Sequence, residues 1–427
     1  MSASKERRPD VFRYPDFTRF WAAGTVSGFG SYITTMALQV LVVLTLHGSA
    51  FDVGLLNASR WMPYLVLGLV VGALVDRRRR RPILVVTDFG RSVLLVTIPL
   101  LWMVDKLNLP TLLALMVAFG TMSLLSDAAA RSFLPRLVPR SSLLAANARI
   151  DQSSSVAQTS GPLVAGGLVT ALGAPVAVLV DALSYLASGI AIASIRTPES
   201  SPVADDQPRH LWREIGDGLR WVYRHRVLAP LALSTHGWFV FNSILTTVFV
   251  PFALLSLTLS AFELGVTLAA AGVGGLLGSL VATRVGLRWG AGRTVIACRA
   301  LYPLAWAVIA LVPDQADAHS HVLAVLLVGG GQLLYGLAIG VENANETGYQ
   351  QAITPDELQG RMNTTIRSVN RAMIVVGAPL GGLLADAVGY RPVMVVAIAG
   401  FALVAVGLAA SPFRHARHGD APAQPVA

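Results

Sequence analysis

The stretch Gly72-Ala-Leu-Val-Asp76-Arg77-Arg78-Arg79-Arg80-Arg81, GALVDRRRRR, sets an acid and five consecutive arginines between two apolar flanks. Outward from it the chain stays apolar. Of its 427 residues, 54% are hydrophobic and 13% are charged, against roughly 25% charged in a soluble domain. That balance marks a membrane-embedded class. Runs of ~20 mostly apolar residues, enough to cross a bilayer, recur at about 20–46, 53–75, 82–104, 110–130, 143–171, 174–195, 229–257, 262–283, 293–313, 321–343, 362–388 and 390–412. The expected fold class is an all-α membrane protein with twelve transmembrane helices.

The arginine run then acquires a topological meaning, because Lys and Arg accumulate in cytoplasmic loops. They fall in the N-terminus (Lys5, Arg7, Arg8, Arg13, Arg19), at Arg77 to Arg81, and at Arg131, Arg136 and Arg140. They recur in a central polar linker, at Arg284, Arg288 and Arg293, and in the C-terminal tail. The alternate loops hold only Lys106 and Arg391. This alternation predicts both termini in the cytoplasm. The net charge of +9 is dispersed over these loops, which argues against a nucleic-acid partner. The polar N-terminus carries no cleavable signal pattern. The single cysteine, Cys298, excludes an intrachain disulfide and a multi-cysteine metal site.

The chain also repeats itself. At an offset of 216 positions Pro139 meets Pro355, Asn147 meets Asn363, Gly161 meets Gly377, Gly166 meets Gly382 and Gly173 meets Gly389. Six spans returning in one orientation imply two bundles about a pseudo-twofold axis along the membrane normal. The expected division is a six-helix bundle over 1–195, a cytoplasmic linker over 196–226, a second bundle over 227–412 and a disordered tail over 413–427. Within the linker, Leu211 to Tyr223 reads as an amphipathic helix lying on the membrane surface.

On these residues the chain resembles the major facilitator superfamily. Gly72, Leu74, Asp76, Arg77, Arg80 and Arg81 are similar to its signature G-x-L-x-D-R-x-G-R-R, with Arg79 where glycine is usual. GPLVAGG, containing Gly161, Pro162, Gly166 and Gly167, is similar to the antiporter motif with one residue more. SFLPRLVPRSSLLAANARID, LVDALSYLASG and ETGYQQAITPDELQGRMNT resemble bacterial drug and siderophore exporters, among them macrolide efflux and enterobactin export proteins. The resemblance implies alternating access in a bacterial inner membrane, by a monomer that needs no cofactor. It also implies a conformational gate at Gly72, Asp76, Arg77, Arg80 and Arg81, with Asp76 meeting the eleventh helix near Gln359 to Arg361 when the cytoplasmic side closes.

Charge inside a span is a functional hypothesis by default. Arg60, Arg91, Arg149, Arg299, Arg367 and Arg371 lie in spans, as do Asp88, Asp127, Asp151, Asp181, Glu342 and Glu346. Asp88 and Arg91, three apart, satisfy each other in the simplest reading, and Asp181 reads as structural. Asn147, Asp151, Ser154, Ser155 and Gln158 share one helical face, as do Arg367, Asn370 and Arg371. Ser154, Ser155, Gln158, Arg367, Asn370 and Arg371 are therefore cavity candidates, against the alternative of bonds that glue helices together. Asp127, Glu342 and Asp151 are candidates for the coupling proton, since a desolvated carboxylate can titrate near neutral pH. For Glu346 an exposed position at the cytoplasmic rim is the expectation. His236 reads as a hydrogen-bonding helix residue.

No GxxxxGK[ST] loop exists to bind ATP, and no paired histidines stand at metal spacing. The partners implied are a small-molecule substrate, protons and the lipid bilayer. The expected activity is proton-coupled efflux of a small amphiphile such as a drug, antibiotic or siderophore. A lysophospholipid transporter and a non-transporting sensor are the alternatives, and the chain is not expected to be an enzyme.

Overall fold

The computed structural model describes residues 11–76, 78–199, 211–313 and 318–420, with side chains at 69, 70, 72–74, 76, 211–215, 318 and 319 left aside. The helices are α1 (Pro15–Val40), α2 (Ala50–Asp76), α3 (Arg80–Met103), α4 (Leu109–Leu137), α5 (Leu143–Leu172) and α6 (Ala174–Ala193). They continue with the short α7 (Leu211–Arg224), then α8 (Leu228–Pro251), α9 (Ala261–Trp289), α10 (Ala291–Ala310), α11 (Ala318–Ile353), α12 (Asp356–Val388) and α13 (Tyr390–Ala410). Among the described residues, ten are long and apolar enough to cross a membrane; α2 and α5 stand outside that set. For α5 the reason is its polar first half, with Asn147, Arg149, Asp151 and Gln152 within two turns.

Each half pairs its helices in the same way. In the first, α1 packs on α5 and α6, α3 on α4 and α6, and α2 on α4. In the second, α8 packs on α12 and α13, α10 on α11 and α13, and α9 on α11. Local geometry repeats too. A π turn ends α1 at Leu41–Thr45 and another ends α8 at Phe252–Ser256. Each is followed by a left-handed residue, His47 at φ 50° and Thr258 at φ 51°. That conformation costs energy in a non-glycine residue. It is held by Gly48 N–H to the Val42 carbonyl (2.8 Å) and Leu259 N–H to the Ala253 carbonyl (2.9 Å), a Schellman-type closure of the helix end.

Small residues set the close packing in the second bundle. A Cβ on Gly274, Gly278, Gly336 or Gly340 would strike the backbone of the facing helix, so α9 and α11 meet nearly backbone to backbone. This is the behaviour expected of small residues four apart. Gly24 and Gly28 share the spacing but face nothing within 4 Å, so the spacing alone does not locate a contact.

Starts of α1, α3, α5, α8, α10 and α12 share one face of the protein with ends of the others. Most loop arginines lie there, and it is called the basic face below; the opposite one is the far face. On the basic face two expectations are corrected. α7 does not lie free on a surface: it docks on α12 and α8. Trp221 and Val222 are buried, Trp221 Nε1 donates to Thr354 Oγ1 (3.3 Å), and Asp217 pairs with Arg361 (3.1 Å). Trp221 and Val222 of α7 are thus covered by protein. The chain after α13 is ordered through Asp420, with Phe413 fully buried; only residues 421–427 of the expected disordered tail lie outside the described residues.

Lys106, between α3 and α4, and Arg140, between α4 and α5, are both exposed and mark opposite faces. On a Cys298→Ser background, cysteines at these positions should react with a membrane-impermeant maleimide from opposite sides of the membrane. Labelling of both from one side would refute this arrangement.

Candidate functional site

The two bundles meet through α2 against α12 and α5 against α9. Both junctions lie in the far half and are built alike. A Cβ on Gly166 (α5) would stand 2.6 Å from the Ala261 carbonyl and 3.1 Å from Cα of Gly265 and of Phe262 (α9). A Cβ on Gly382 (α12) would collide with the Ala50 carbonyl and reach Cα of Phe51 (α2) at 2.6 Å. Reciprocally, Gly265 faces the Pro162 carbonyl (2.5 Å) and Gly54 faces Ala378 and Pro379. The residues come from two copies of one motif, Ser49-Ala-Phe-Asp-Val-Gly54 and Ser260-Ala-Phe-Glu-Leu-Gly265. In each, serine and acid cap one another: Ser49 N–H to Asp52 (2.8 Å) and Ser260 N–H to Glu263 (2.8 Å), the capping-box arrangement. Of the antiporter-like residues, Pro162 and Gly166 form this junction, Gly161 packs on Tyr32 of α1, and Gly167 has nothing within 4 Å.

One contact breaks the symmetry. Asp386 of α12 accepts from the backbone N–H groups of Ala50 (3.0 Å) and Phe51 (3.1 Å), at the first turn of α2. A carboxylate at a helix N-terminus is favoured by the orphan N–H groups and the macrodipole. Here cap and helix belong to different bundles. About two turns deeper, Asn57 Nδ2 donates to Thr247 Oγ1 of α8 (3.2 Å).

Deeper still, Arg371 of α12 lies 3.8 Å above the Trp61 ring and 5.8 Å from that of Tyr64, both on α2. Tyr64 OH donates to Asp127 Oδ2 of α4 (2.7 Å). Arg367 and Arg371 are within electrostatic reach of Asp127. Three candidates that sequence spacing kept apart thus converge: Asp127, Arg371 and Arg367. Asp127 and Arg367 are exposed.

Across the gap, Asp151 and Ser155 lie on the helical line that runs through Pro162 and Gly166 toward the basic face. Asp151, Ser154, Ser155 and Gln158 are all exposed, as is Leu144 at 84%. The line that closes the bundles on the far side therefore becomes a polar wall on the basic side. Asn370 departs from the expectation. It is buried, and its Oδ1 meets His236 Nδ1 (2.7 Å) while His236 Nε2 meets Tyr223 OH of α7 (2.9 Å). It turns into the second bundle because His236 gives its amide a partner there.

Glu342 is likewise away from the gap, inside the second bundle. Arg299 pairs with Glu342 (2.9 Å) and Glu346 (3.1 Å). Tyr302 OH donates to Glu342 (2.5 Å), and Thr235 and Gln350 donate to Glu346 (2.7 and 3.0 Å). Glu346 is buried in this network rather than exposed at a rim. Asp88 and Arg91 do pair, and Asp181 is fully buried between Thr34 and Ser184, as read from the sequence.

At the signature loop, Gly72 and Asp76 end α2; Arg77 lies outside the described residues, as does the side chain of Asp76. Arg80 and Arg81 begin α3, and their N–H groups both donate to Glu199 (2.7 Å each). Arg81 also donates to the Ile192 carbonyl (3.3 Å). At the start of α12, Arg361 is held by Asp217 and Gln359 by Asp356 (3.1 Å), so both are engaged within their own half.

Asp386→Asn removes the charge and lets the side-chain carbonyl serve only one N–H well. It should weaken far-face closure by about 1 kcal/mol, roughly a fivefold shift toward the open far face. Distances between spin labels at Lys106 and Val388 report it, and an unchanged distribution would deny Asp386 this role. Gly166→Leu should open the same face further. Arg299→Met leaves two buried carboxylates without their cation, a loss of ~3–5 kcal/mol. The fall in melting temperature should narrow as pH is lowered, because protonated carboxylates no longer need the cation.

Comparison with known proteins agrees with this architecture. The chain is 26% identical over 382 residues to the multidrug efflux pump Tap of Mycolicibacterium fortuitum, covering 86% of this chain and 88% of that one. It is 24% identical over 386 residues to macrolide efflux protein A of Streptococcus pyogenes, covering 87% and 90%. In fold it is similar to a bacterial homologue of the iron transporter ferroportin in an inward-facing state (TM-score 0.72, 14% identity, 92% of this chain and 98% of that one). It is also similar to a bacterial homologue of the lysosomal transporter Spinster, inward-facing and unoccupied (0.70, 15%, 95% and 97%). Residues 20–378 match the Major Facilitator Superfamily. The chain belongs to that superfamily, and is a transporter rather than an enzyme.

Proposed function

We propose that the chain is a twelve-span secondary exporter working by alternating access, with its basic face and both termini in the cytoplasm. Its two six-helix bundles, 1–195 and 227–412, would be related by a pseudo-twofold axis and joined by the 196–226 linker. One observation carries the reading. Paired glycine junctions close the bundles at the far face, while the polar walls of α5 and α12 lead from the middle to the basic face. This is an inward-open arrangement, ready to take a substrate from the cytoplasm. The efflux relatives favour a drug-like amphiphile as cargo. Trp61 and Tyr64 offer apolar rings beside Arg371, and Asp127 offers an acid in the same cleft.

Coupling to protons follows from charge. In the inward-open state Asp127 is exposed to the cleft. To close over the cleft while ionised would desolvate the carboxylate, at several kcal/mol. A proton or a cationic substrate must neutralise it, which ties each change of state to one of the two. Glu342 is a second proton site, because one guanidinium, Arg299, serves two carboxylates. Asp151, on the opposite wall, is the third. The signature loop at Gly72, Asp76, Arg77, Arg80 and Arg81 would bias the outward-open state by meeting α12 after Arg361 leaves Asp217.

In proteoliposomes with an imposed pH gradient, macrolides and cationic dyes should accumulate against their own gradient. Asp127→Asn should lower gradient-driven transport at least about tenfold, the size of one lost charge interaction, while binding of an uncharged substrate in detergent persists. Transport that ignores both the pH gradient and a protonophore would reject proton antiport.

A further inference from the structure

Outside the cleft, the second bundle carries a built cavity on the basic face. It has a volume of about 350 Å³ and lies between the α9–α10 turn and the chain that follows α13. Arg288 and Arg293 line it from one side, Arg414 and Arg417 from the other, with Trp289 and His418. Among the described residues, none of the four arginines forms an ion pair with a carboxylate. Asp420, the acid of the same segment, accepts from the Arg417 backbone N–H (2.9 Å) and from Tyr349 OH (3.3 Å).

The walls are anchored at several points. Gly290 turns the chain at φ 82°. Gly292 N–H donates to the Ala416 carbonyl (3.0 Å), and a Cβ on Gly292 would collide with the Phe413 carbonyl. Phe413 packs edge-on to Tyr349 with ring centroids 5.5 Å apart, and His418 Nε2 meets Asn345 Oδ1 (2.9 Å). Two segments more than a hundred residues apart in sequence are thus pinned so that four like charges surround one void. Their mutual repulsion opposes this fold, and an anion in the void would partly neutralise them and relieve it.

We propose that this cavity binds a phosphate group, gripped by guanidinium forks, which match phosphate oxygens two at a time. A phospholipid headgroup is the source the site favours, given that Leu287 (74%) and Trp289 (54%) lie exposed beside the arginines, as an aromatic and apolar rim at a membrane interface does. Basic pockets between helices on the cytoplasmic side hold anionic headgroups in this way. The headgroup assignment rests on the reading of the basic face as cytoplasmic; the anion site does not.

The test uses the purified full-length protein in detergent, so its outcome is independent of transport. Phosphatidylglycerol, phosphatidylethanolamine and inorganic phosphate are titrated separately, and thermal stabilisation and lipid retention in native mass spectrometry are read. Phosphatidylglycerol should bind in preference to phosphatidylethanolamine. Two variants, R288Q/R293Q and R414Q/R417Q, should each weaken that binding at least about tenfold. The control pair R131Q/R136Q, on the same face of the first bundle, should change it little. Inorganic phosphate that stabilises the protein and displaces the lipid would support the site with the free anion sufficient; lipid binding untouched by phosphate would support the headgroup. Equal loss in the control pair, or no preference over phosphatidylethanolamine, would overturn the proposal.

Discussion

Everything else in this molecule depends on how closely two helices from different bundles can approach. At Gly166 against Gly265, at Gly382 against Ala50 and Phe51, and at Gly54 against Ala378 and Pro379, the spacing leaves no room for a Cβ. In lipid there is no hydrophobic drive to bring helices together, so contact must be won by dispersion and close fit. A junction of glycines against facing backbone supplies fit without interlocking side chains. Such a junction can part and re-form without a rotamer change. The same four positions therefore serve adhesion and motion, and they lie at one end only, so the other end is free to open.

Buried charge is handled differently in the two halves. In the first bundle Asp88 and Arg91 match one to one, and Asp181 is satisfied by hydroxyl donors from Thr34 and Ser184. In the second, Arg299 faces Glu342 and Glu346 together. A matched pair can stay ionised through a conformational cycle. An unmatched acid cannot be kept charged in low dielectric without cost, so the second bundle holds the costlier arrangement of buried charge. Beside that network, His236 links α8 to Asn370 of α12 and to Tyr223 of α7. Helix α12 also carries Arg371 and Asp386, so the helix that bonds His236 also touches the opposite bundle.

Composition and charge alternation made the helical membrane class legible, because both follow from bilayer thickness and loop charge. The glycine-rich phrases at Gly161 and Gly377 made the repeat visible at one offset. What was missed lies at another: Ser49 to Gly54 and Ser260 to Gly265 also correspond, but separated by 211 positions rather than 216, so no single shift reveals both. The junction needs one partner from each register. Asp386 was illegible for a related reason. Its importance lies in the first turn of a helix more than three hundred residues away, and an acid near a span end looks like an ordinary rim residue. Asn370 misled because helical spacing gives the face a residue occupies, not whether a partner such as His236 waits there. Asp127, by contrast, was singled out from the cost of charge inside a span, which needs no knowledge of partners.

Asymmetry between the halves has a direction. The two glycine junctions are equivalent, and a dimer of identical bundles held only by them would have no preferred resting state. Asp386 occupies the position equivalent to Thr170, and Arg367 and Arg371 occupy those of Asp151 and Ser155. Asp386 and Arg371 each place a charge where α5 has a neutral residue, and Arg367 reverses the sign of Asp151. Asp386 ties the far end of that junction to α2 through two backbone N–H groups, and Arg371 ties its middle to Trp61 and Tyr64. The α5–α9 side keeps only close packing. Opening of the far face must therefore break charge-assisted contacts on one side and merely separate surfaces on the other. The α2–α12 seam thus sets the energy of the transition, while the α5–α9 seam follows it, and a cargo or proton that acts on the cycle does so most directly where Arg371, Tyr64 and Asp127 meet.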